Sequence, residues 1–313
     1  MGKIVFIFPG QGSQYVGMGK DLYLSYPEVQ ELFAACDERL GANLTRLCFE
    51  GPVELLAQTE NTQPAVLLVS LAALMALRAA GVKPQFVAGH SLGEYSALVA
   101  AGVLDPLDAC WLVRQRGRYM EGAVPGGRGA MAAVLGLEYR AIAEACRQAE
   151  EIGPVVIANL NAPGQVVISG VRPAVEEVAY RCRQAGAKKV VFLEVSGPFH
   201  SPLMQPAVEQ LEKDFARVRW KSPAVPVIAN CLAQPVTEVE AVRKALLRQL
   251  TSPVRWQESL EYLAAQGVTT FIELGPGRVL SGLVKRTVPG ARVCNVEDRA
   301  SLEKTLASLQ EAD

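Results

Sequence analysis

Histidine is almost missing: two residues in 313, His90 and His200. A histidine-rich metal centre is therefore excluded, and any imidazole chemistry must use one of these two. The seven cysteines (Cys36, Cys48, Cys110, Cys146, Cys182, Cys231 and Cys294) form no C-x-x-C pair and are dispersed. An odd, scattered set excludes a disulfide framework or a zinc site and reads as reduced, buried thiols of a cytoplasmic protein. Excess charge of either sign is lacking too, with 31 Lys and Arg against 32 Asp and Glu. No basic footprint for nucleic acid and no polybasic membrane anchor follows. The one long apolar run, Ala65 to Leu77, is interrupted by Ser70 and ended by Arg78. It falls short of the roughly 18 residues needed to span a bilayer and is expected to be a helix buried against a sheet. Ile4 to Phe8 is too short for a signal-peptide core, and neither repeats nor low-complexity segments occur. With 50% hydrophobic and 20% charged residues the chain is ordinary globular material, long enough for one large domain or two modest ones.

Two phosphate-binding motifs are incomplete. Lys3 to Phe8 reads as a parallel strand buried on both faces, running into Pro9-Gly10-Gln11-Gly12-Ser13-Gln14. Such a loop lies where open α/β sheets bind ligands. However, Gly10-x-Gly12 has Tyr15 where a dinucleotide fingerprint needs its third glycine. Gly19-Lys20 is followed by Asp21, and Gln14 occupies the first glycine position of a P-loop. Gln11 is left with two readings: a surface amide on a glycine turn, or part of an oxyanion pocket.

What is present is Gly89-His90-Ser91-Leu92-Gly93, preceded by the apolar Phe86-Val87-Ala88 and followed by the helix-forming Glu94 to Ala101. Strand, Gly-x-Ser-x-Gly turn and helix are the context of a nucleophile elbow. The glycines let strand and helix approach, and Ser91 projects at a helix N-terminus whose free N–H groups can hold an oxyanion. In the helix expected from Asp105 to Glu121, Arg116 falls on the apolar stripe of Ala109, Leu112, Val113 and Met120, while Arg114 and Arg118 fall off it and are expected in solvent. A cation on a buried face needs an anionic partner, either a structural carboxylate or a ligand carboxylate suited to the guanidinium fork.

After Pro125-Gly126-Gly127 the pattern changes. Strands at Gly129–Leu135, Pro154–Leu160, Gln165–Ser169 and Lys188–Val195, with helices at Glu138–Ala149 and Val171–Ala185, give the β-α-β-β-α-β order of a ferredoxin-like subdomain. The expected division is a large α/β subdomain over 1–125, the ferredoxin-like insert over 126–196, and the rest of the large subdomain over 197–313. His200 stands on a loop just ahead of a helix starting near Ser201-Pro202, where the positive helix end would keep an imidazole neutral. It is the favoured base for Ser91. His90, beside the serine, points elsewhere and reads as packing support. Gln249 sits in the last turn of a helix from Val239 to Leu250, where a free carbonyl can accept a histidine N–H. Further strands are expected at Val225–Ala229 and Thr269–Leu274, with a closing helix beyond Asp298.

Pro9 to Gln14, Gly89 to Glu94, Gln115-Arg116-Gly117, Asn159 to Gly164, Gly197-Pro198-Phe199-His200 and Gln249-Leu250 together closely resemble the malonyl-CoA:acyl carrier protein transacylases, over nearly the whole chain. The resemblance implies an α/β-hydrolase-like core with a mostly parallel sheet and a malonyl-serine intermediate. It implies Ser91 as nucleophile and His200 as base, with the backbone carbonyl of Gln249 orienting the histidine. The N–H groups of Gln11 and Leu92 would form the oxyanion hole, and Arg116 would grip the malonyl carboxylate. By the same resemblance, Phe199 before His200 looks like the malonyl-type residue. No cofactor and no metal are implied, since the phosphopantetheine arrives on the partner. Partners would be malonyl-CoA and acyl carrier protein, served by a monomer in the cytoplasm. Lys188, Lys189, Lys285 and Arg286 are candidates for a basic rim facing that acidic carrier. A polyketide-synthase acyltransferase acting in trans stays open, as does a serine hydrolase, which would place Glu194 or Asp214 near His200. A non-catalytic docking protein is disfavoured because nucleophile and base are both present.

Overall fold

The computed structural model describes residues 2–311. The chain begins with β1 (Lys3–Phe8), then α1 (Lys20–Ser25), α2 (Pro27–Leu40), α3 (Leu44–Glu50), α4 (Val53–Leu56) and α5 (Thr59–Ala79). Next come β2 (Phe86–Gly89), α6 (Gly93–Ala100) and α7 (Pro106–Gly122). The middle of the chain forms β3 (Gly129–Leu135), α8 (Tyr139–Gln148), β4 (Val155–Ala162), β5 (Gln165–Val171), α9 (Arg172–Gln184) and β6 (Lys189–Phe192). A short 3-10 turn at Pro202–Met204 leads into α10 (Gln205–Phe215), followed by β7 (Val227–Ala229), β8 (Gln234–Val236), α11 (Val239–Thr251) and α12 (Trp256–Ala265). β9 (Val268–Leu274), α13 (Val279–Thr287), β10 (Arg292–Val296) and α14 (Arg299–Gln310) close the chain.

Two sheets result. The larger has the order β10-β9-β1-β2-β7-β8, parallel except for the β7–β8 pair. β1 lies in its middle, with Phe8 opposite Gly89 at the end of β2, so the glycine loop and the elbow leave the sheet side by side. Val5, Phe6, Ile7 and Phe8 are fully buried because helices cover both faces. The smaller sheet, β4-β5-β3-β6, is antiparallel throughout. Its order and its two helices are those of a ferredoxin-like unit, and it buries its own apolar layer of Ala132, Val134, Ile142, Ile168, Val175 and Val178.

α5 differs from the sequence expectation. It begins at Thr59 rather than Ala65, and Pro64 lies inside it. The helix runs through the proline, and its first turn is held from outside: Glu121 Oε1 accepts from the Thr59 N–H at 2.8 Å, and Thr62 Oγ1 donates to the Leu56 carbonyl at 2.5 Å. Every residue from Thr62 to Leu74 is buried, as expected of a helix packed against a sheet. α7 begins where Asp105 caps it, accepting from the Leu107 N–H at 2.9 Å, with Pro106 in the first helical position.

Candidate active site

The elbow between β2 and α6 is strained. Ser91 has φ of 51°, a left-handed conformation uncommon for a residue with a Cβ. The approach of strand, turn and helix leaves no room at its glycines: a Cβ on Gly89 would sit 1.9 Å from the Gly93 carbonyl carbon, and one on Gly93 would sit 2.1 Å from the Phe8 oxygen. The turn thus lifts Ser91 clear of the sheet at the carboxyl ends of β1 and β2.

His200 reaches it from the loop before α10. Its Nε2 lies 2.8 Å from Ser91 Oγ, and its Nδ1 lies 2.9 Å from the backbone oxygen of Gln249 in α11. A carbonyl can only accept, so Nδ1 carries the hydrogen and Nε2 is left to take a proton from the serine. Burial, and then the charge of Arg116, push the imidazole down to about 3, so it is neutral. These causes differ from the helix end anticipated from sequence. Among the described residues no carboxylate contacts His200. Asp214 is instead occupied by Tyr119 at 2.6 Å and Arg217 at 3.3 Å, and Glu194 is exposed.

Arg116 is 1% exposed on α7. Its Nη1 donates to Gln63 Oε1 at 2.8 Å, and its Nη2 donates to Gln249 Oε1 at 2.9 Å and to Ser91 Oγ at 3.2 Å. All these acceptors are neutral, and Nε has no partner among the described residues. Of the two partners weighed for this cation, a structural carboxylate in direct contact is ruled out. Arg118 pairs with Glu60 at 2.6 Å in solvent as expected, but Arg114 is half-buried and donates to the Leu40 carbonyl at 3.1 Å.

Four polar residues of this site have no role assigned from the sequence, although Glu94 and Asn161 fall within segments that carry the family resemblance. Gln63 lay hidden because α5 was expected to start after Pro64. Glu94 itself reads only as the first of the helix-forming residues after the elbow. Asn230 directly follows β7: its Oδ1 accepts from the Ser91 N–H at 2.7 Å, and its Nδ2 donates to the Gly89 carbonyl at 2.7 Å. Nothing local marks an asparagine for that task. Asn161 lies on β4 of the small sheet, with its Oδ1 2.8 Å from His90 Nε2. His90 also stacks edge-on against Trp256 at 5.6 Å, consistent with packing support.

The glycine loop presses on the elbow, since a Cβ on Gly10 would fall 2.5 Å from the His90 oxygen. The side chain of Gln11 turns aside and donates to Thr59 Oγ1 at 3.1 Å. Its backbone N–H, like that of Leu92, has no acceptor among the described residues. Two free N–H donors flanking an elbow serine can receive the oxygen of a tetrahedral intermediate.

A serine on an elbow, a neutral histidine and a pair of free N–H groups define an acyl-transferring enzyme, and a family profile described as the acyl transferase domain matches residues 5–306. The chain is 49% identical over 312 residues to a malonyl CoA-acyl carrier protein transacylase of Bacillus subtilis, covering 99% of this chain and 98% of the relative. It is 50% identical over 289 residues to the one from Escherichia coli K12, covering 92% and 94%. A crystal structure of an acyl carrier protein S-malonyltransferase from Vibrio cholerae superposes with a TM-score of 0.94 at 48% identity, covering 97% of this chain and 99% of that one. A malonyl-transacylase in complex with its type II PKS acyl-carrier protein superposes with a TM-score of 0.95 at 44% identity, covering 98% and 99%. The chain belongs to the malonyl CoA-acyl carrier protein transacylases.

Proposed function

We propose that this chain transfers malonyl from malonyl-CoA to the phosphopantetheine thiol of an acyl carrier protein through an ester on Ser91, supplying extender units for fatty acid synthesis. The observation that carries the malonyl reading is Arg116: a buried guanidinium that touches the nucleophile at 3.2 Å and has only neutral acceptors. A fork of donors beside an acylated serine suits an acyl group bearing its own carboxylate.

Ser91 Oγ gives its proton to His200 Nε2 and attacks the thioester carbonyl. The N–H groups of Gln11 and Leu92 stabilise the oxyanion. The intermediate collapses as the histidine returns the proton to the sulfur of coenzyme A. Throughout, the Gln249 carbonyl holds the Nδ1–H, so the imidazolium is oriented without a third acid. The carrier thiol then attacks the malonyl ester by the reverse sequence, giving ping-pong kinetics.

In this reading residues 126–196 form the inserted subdomain between the two parts of the large one, 1–125 and 197–313. That assignment is supported by the four antiparallel strands lying between Gly129 and Phe192. The carrier meets a basic rim. Lys188 and Lys189 flank the end of β3 at Leu135, whose partner across the sheet is Gln165, and Gln165 Oε1 accepts from Arg286. Lys285 and Arg286 are exposed at the end of α13. Seven free, buried cysteines favour a reducing compartment, the cytoplasm.

The deciding experiment is intact-mass spectrometry after mixing with malonyl-CoA. A stable malonyl adduct on Ser91, discharged by holo carrier protein, is the expected result; free malonate without an adduct would establish hydrolysis. The neighbour bound to a polyketide carrier supports a second reading, in which the carrier served belongs to a polyketide synthase. Comparing kcat/KM for the two carrier types separates these readings.

A further inference from the structure

Directly beneath the nucleophile is a buried acid that the acyl-transfer steps do not use. Glu94, in the first turn of α6, is 2% exposed, and its Oε2 accepts from the Asn230 N–H at 3.0 Å and from Gln249 Nε2 at 2.8 Å. The other end of the same amide, Gln249 Oε1, accepts from Arg116 Nη2 at 2.9 Å. A carboxylate can only accept and a guanidinium can only donate, so the sense of this amide is fixed by its two neighbours. The chain Glu94···Gln249···Arg116 thus connects the buried anion to the buried cation through one oriented dipole.

We propose that Glu94 is the resting counter-charge of Arg116, relayed through the Gln249 amide, and that it takes up a proton when the carboxylate of the acyl group reaches the guanidinium. The proposal rests on Arg116 being the acyl carboxylate's site. In the empty enzyme the layer holds one anion and one cation, and its remaining members are neutral. Arg116, Gln249 and Asn230 are all within 1% of full burial. An arriving carboxylate adds a second negative charge where an unpaired ion is very costly. Protonating Glu94 from solvent restores the balance.

The surroundings favour that outcome. Burial already raises the Glu94 carboxyl to about 7, against the hydrogen bonds from Asn230 and Gln249 and the charge of Arg116. Once the ligand carboxylate shares that guanidinium, the Arg116 effect weakens and a like charge is added; both changes raise the carboxyl further. The other titratable groups facing Glu94 are Tyr95 on its own helix and Cys231 beyond β7. Burial raises both, Cys231 to about 12, so neither carries charge at neutral pH. The acylation step leaves the count undisturbed, since the Ser91 proton departs on the sulfur of coenzyme A. Net uptake from solvent therefore reports the change Glu-COO⁻ plus H⁺ to Glu-COOH.

The test is a weakly buffered, indicator-monitored single turnover with malonyl-CoA and no carrier. At about pH 8, uptake should approach one proton per malonyl ester formed and should fade below about pH 6, where Glu94 is already protonated. Acetyl-CoA should give no uptake, and Glu94→Gln should load malonyl without it. Uptake that persists in Glu94→Gln overturns the proposal. So does absence of uptake in the unmodified enzyme while Arg116→Ala still abolishes the preference for malonyl, an outcome that leaves the substrate reading intact. If Arg116→Ala leaves that preference unchanged, the substrate reading itself fails. Should Glu94→Gln not fold, infrared difference spectra of the unmodified enzyme decide. A protonated-carboxyl band must appear on loading and must not shift with isotope-labelled malonyl; without it the proposal fails.

Discussion

Ser91 and His200, which meet at 2.8 Å, share an unusual backbone state: φ is 51° at the serine and 57° at the histidine. Ala233 is the one other non-glycine residue with positive φ among those described. Each such residue costs on the order of 1–2 kcal/mol of strain. The surrounding bonds hold it in place, including the Ser91 N–H on Asn230 Oδ1 at 2.7 Å and Ser201 Oγ on the Pro198 carbonyl at 2.6 Å. With Ser91 as the proposed nucleophile, Ser91→Ala and Ser91→Gly should both be inactive. Their stabilities should nevertheless differ from the usual order. Glycine ordinarily costs about 0.5–1 kcal/mol relative to alanine in regular structure; here Ser91→Gly should unfold at a Tm equal to or above that of Ser91→Ala.

If Arg116 holds the carboxylate of the acyl group, as proposed, its loss should separate acyl groups with a carboxylate from those without. Arg116→Ala should reduce kcat/KM for malonyl-CoA by about 30- to 1,000-fold, the equivalent of about 2–4 kcal/mol for a buried charge-assisted pair. The loss with acetyl-CoA should be at least about tenfold smaller. Arg116→Lys should recover little, because an ammonium cannot reproduce the fork that reaches Gln63, Gln249 and the ligand together. Equal losses for both substrates would remove Arg116 from carboxylate recognition.

The elbow was legible in the sequence because its constraint is local. Gly89 and Gly93 flank Ser91 within five residues, and steric demands at that distance leave a motif. The helical stripe likewise exposed Arg116, since periodicity records which face is buried. Asn230 and Gln63 were not legible. Their partners lie 139 residues away at Ser91 and 53 residues away at Arg116, and no spacing rule connects such positions. β8 and β10, at the two edges of the large sheet, went unseen for a related reason. An edge strand has one partner and one covered flank, so its residues need not alternate strongly. α12 and α13 were missed as well, their identity being set by packing over the sheet rather than by caps; neither has a side-chain N-cap bond.

Gln249 acts through two different groups, and mutation can separate them. Its backbone carbonyl holds His200, whereas its side-chain amide links Glu94 and Arg116. Gln249→Ala keeps the first and deletes the second. Leaving two buried charged groups each short of a partner should cost stability of about 1–3 kcal/mol or more. In kinetics, the variant should lose malonyl preference and raise the KM for malonyl-CoA, while its rate of Ser91 acylation by an uncharged activated ester stays within about threefold. A collapse of that ester reaction would mean that the side chain, not the carbonyl, orients the histidine.

His200 should also leave a signature in the pH dependence of stability. Burial and the Arg116 charge lower its imidazole from 6.5 to about 3. Between those values the unfolded chain binds a proton that the folded chain refuses, so this contribution is fully present above about pH 6.5 and is lost progressively as pH falls. Glu94 acts in the opposite sense. Raised from 4.5 to about 7, it is protonated in the folded state over a range where the unfolded carboxyl is ionised, so mild acidification favours folding through this group. The two effects overlap between about pH 6.5 and 4.5 and mask each other in the unmodified enzyme. Subtracting the unfolding free energy of His200→Ala from that of the unmodified enzyme isolates the histidine. The difference should shrink on acidification below about pH 6.5, with a slope approaching 1.4 kcal/mol per pH unit. A difference that stays flat down to about pH 4.5 would mean that the imidazole titrates freely and that burial does not keep the base neutral.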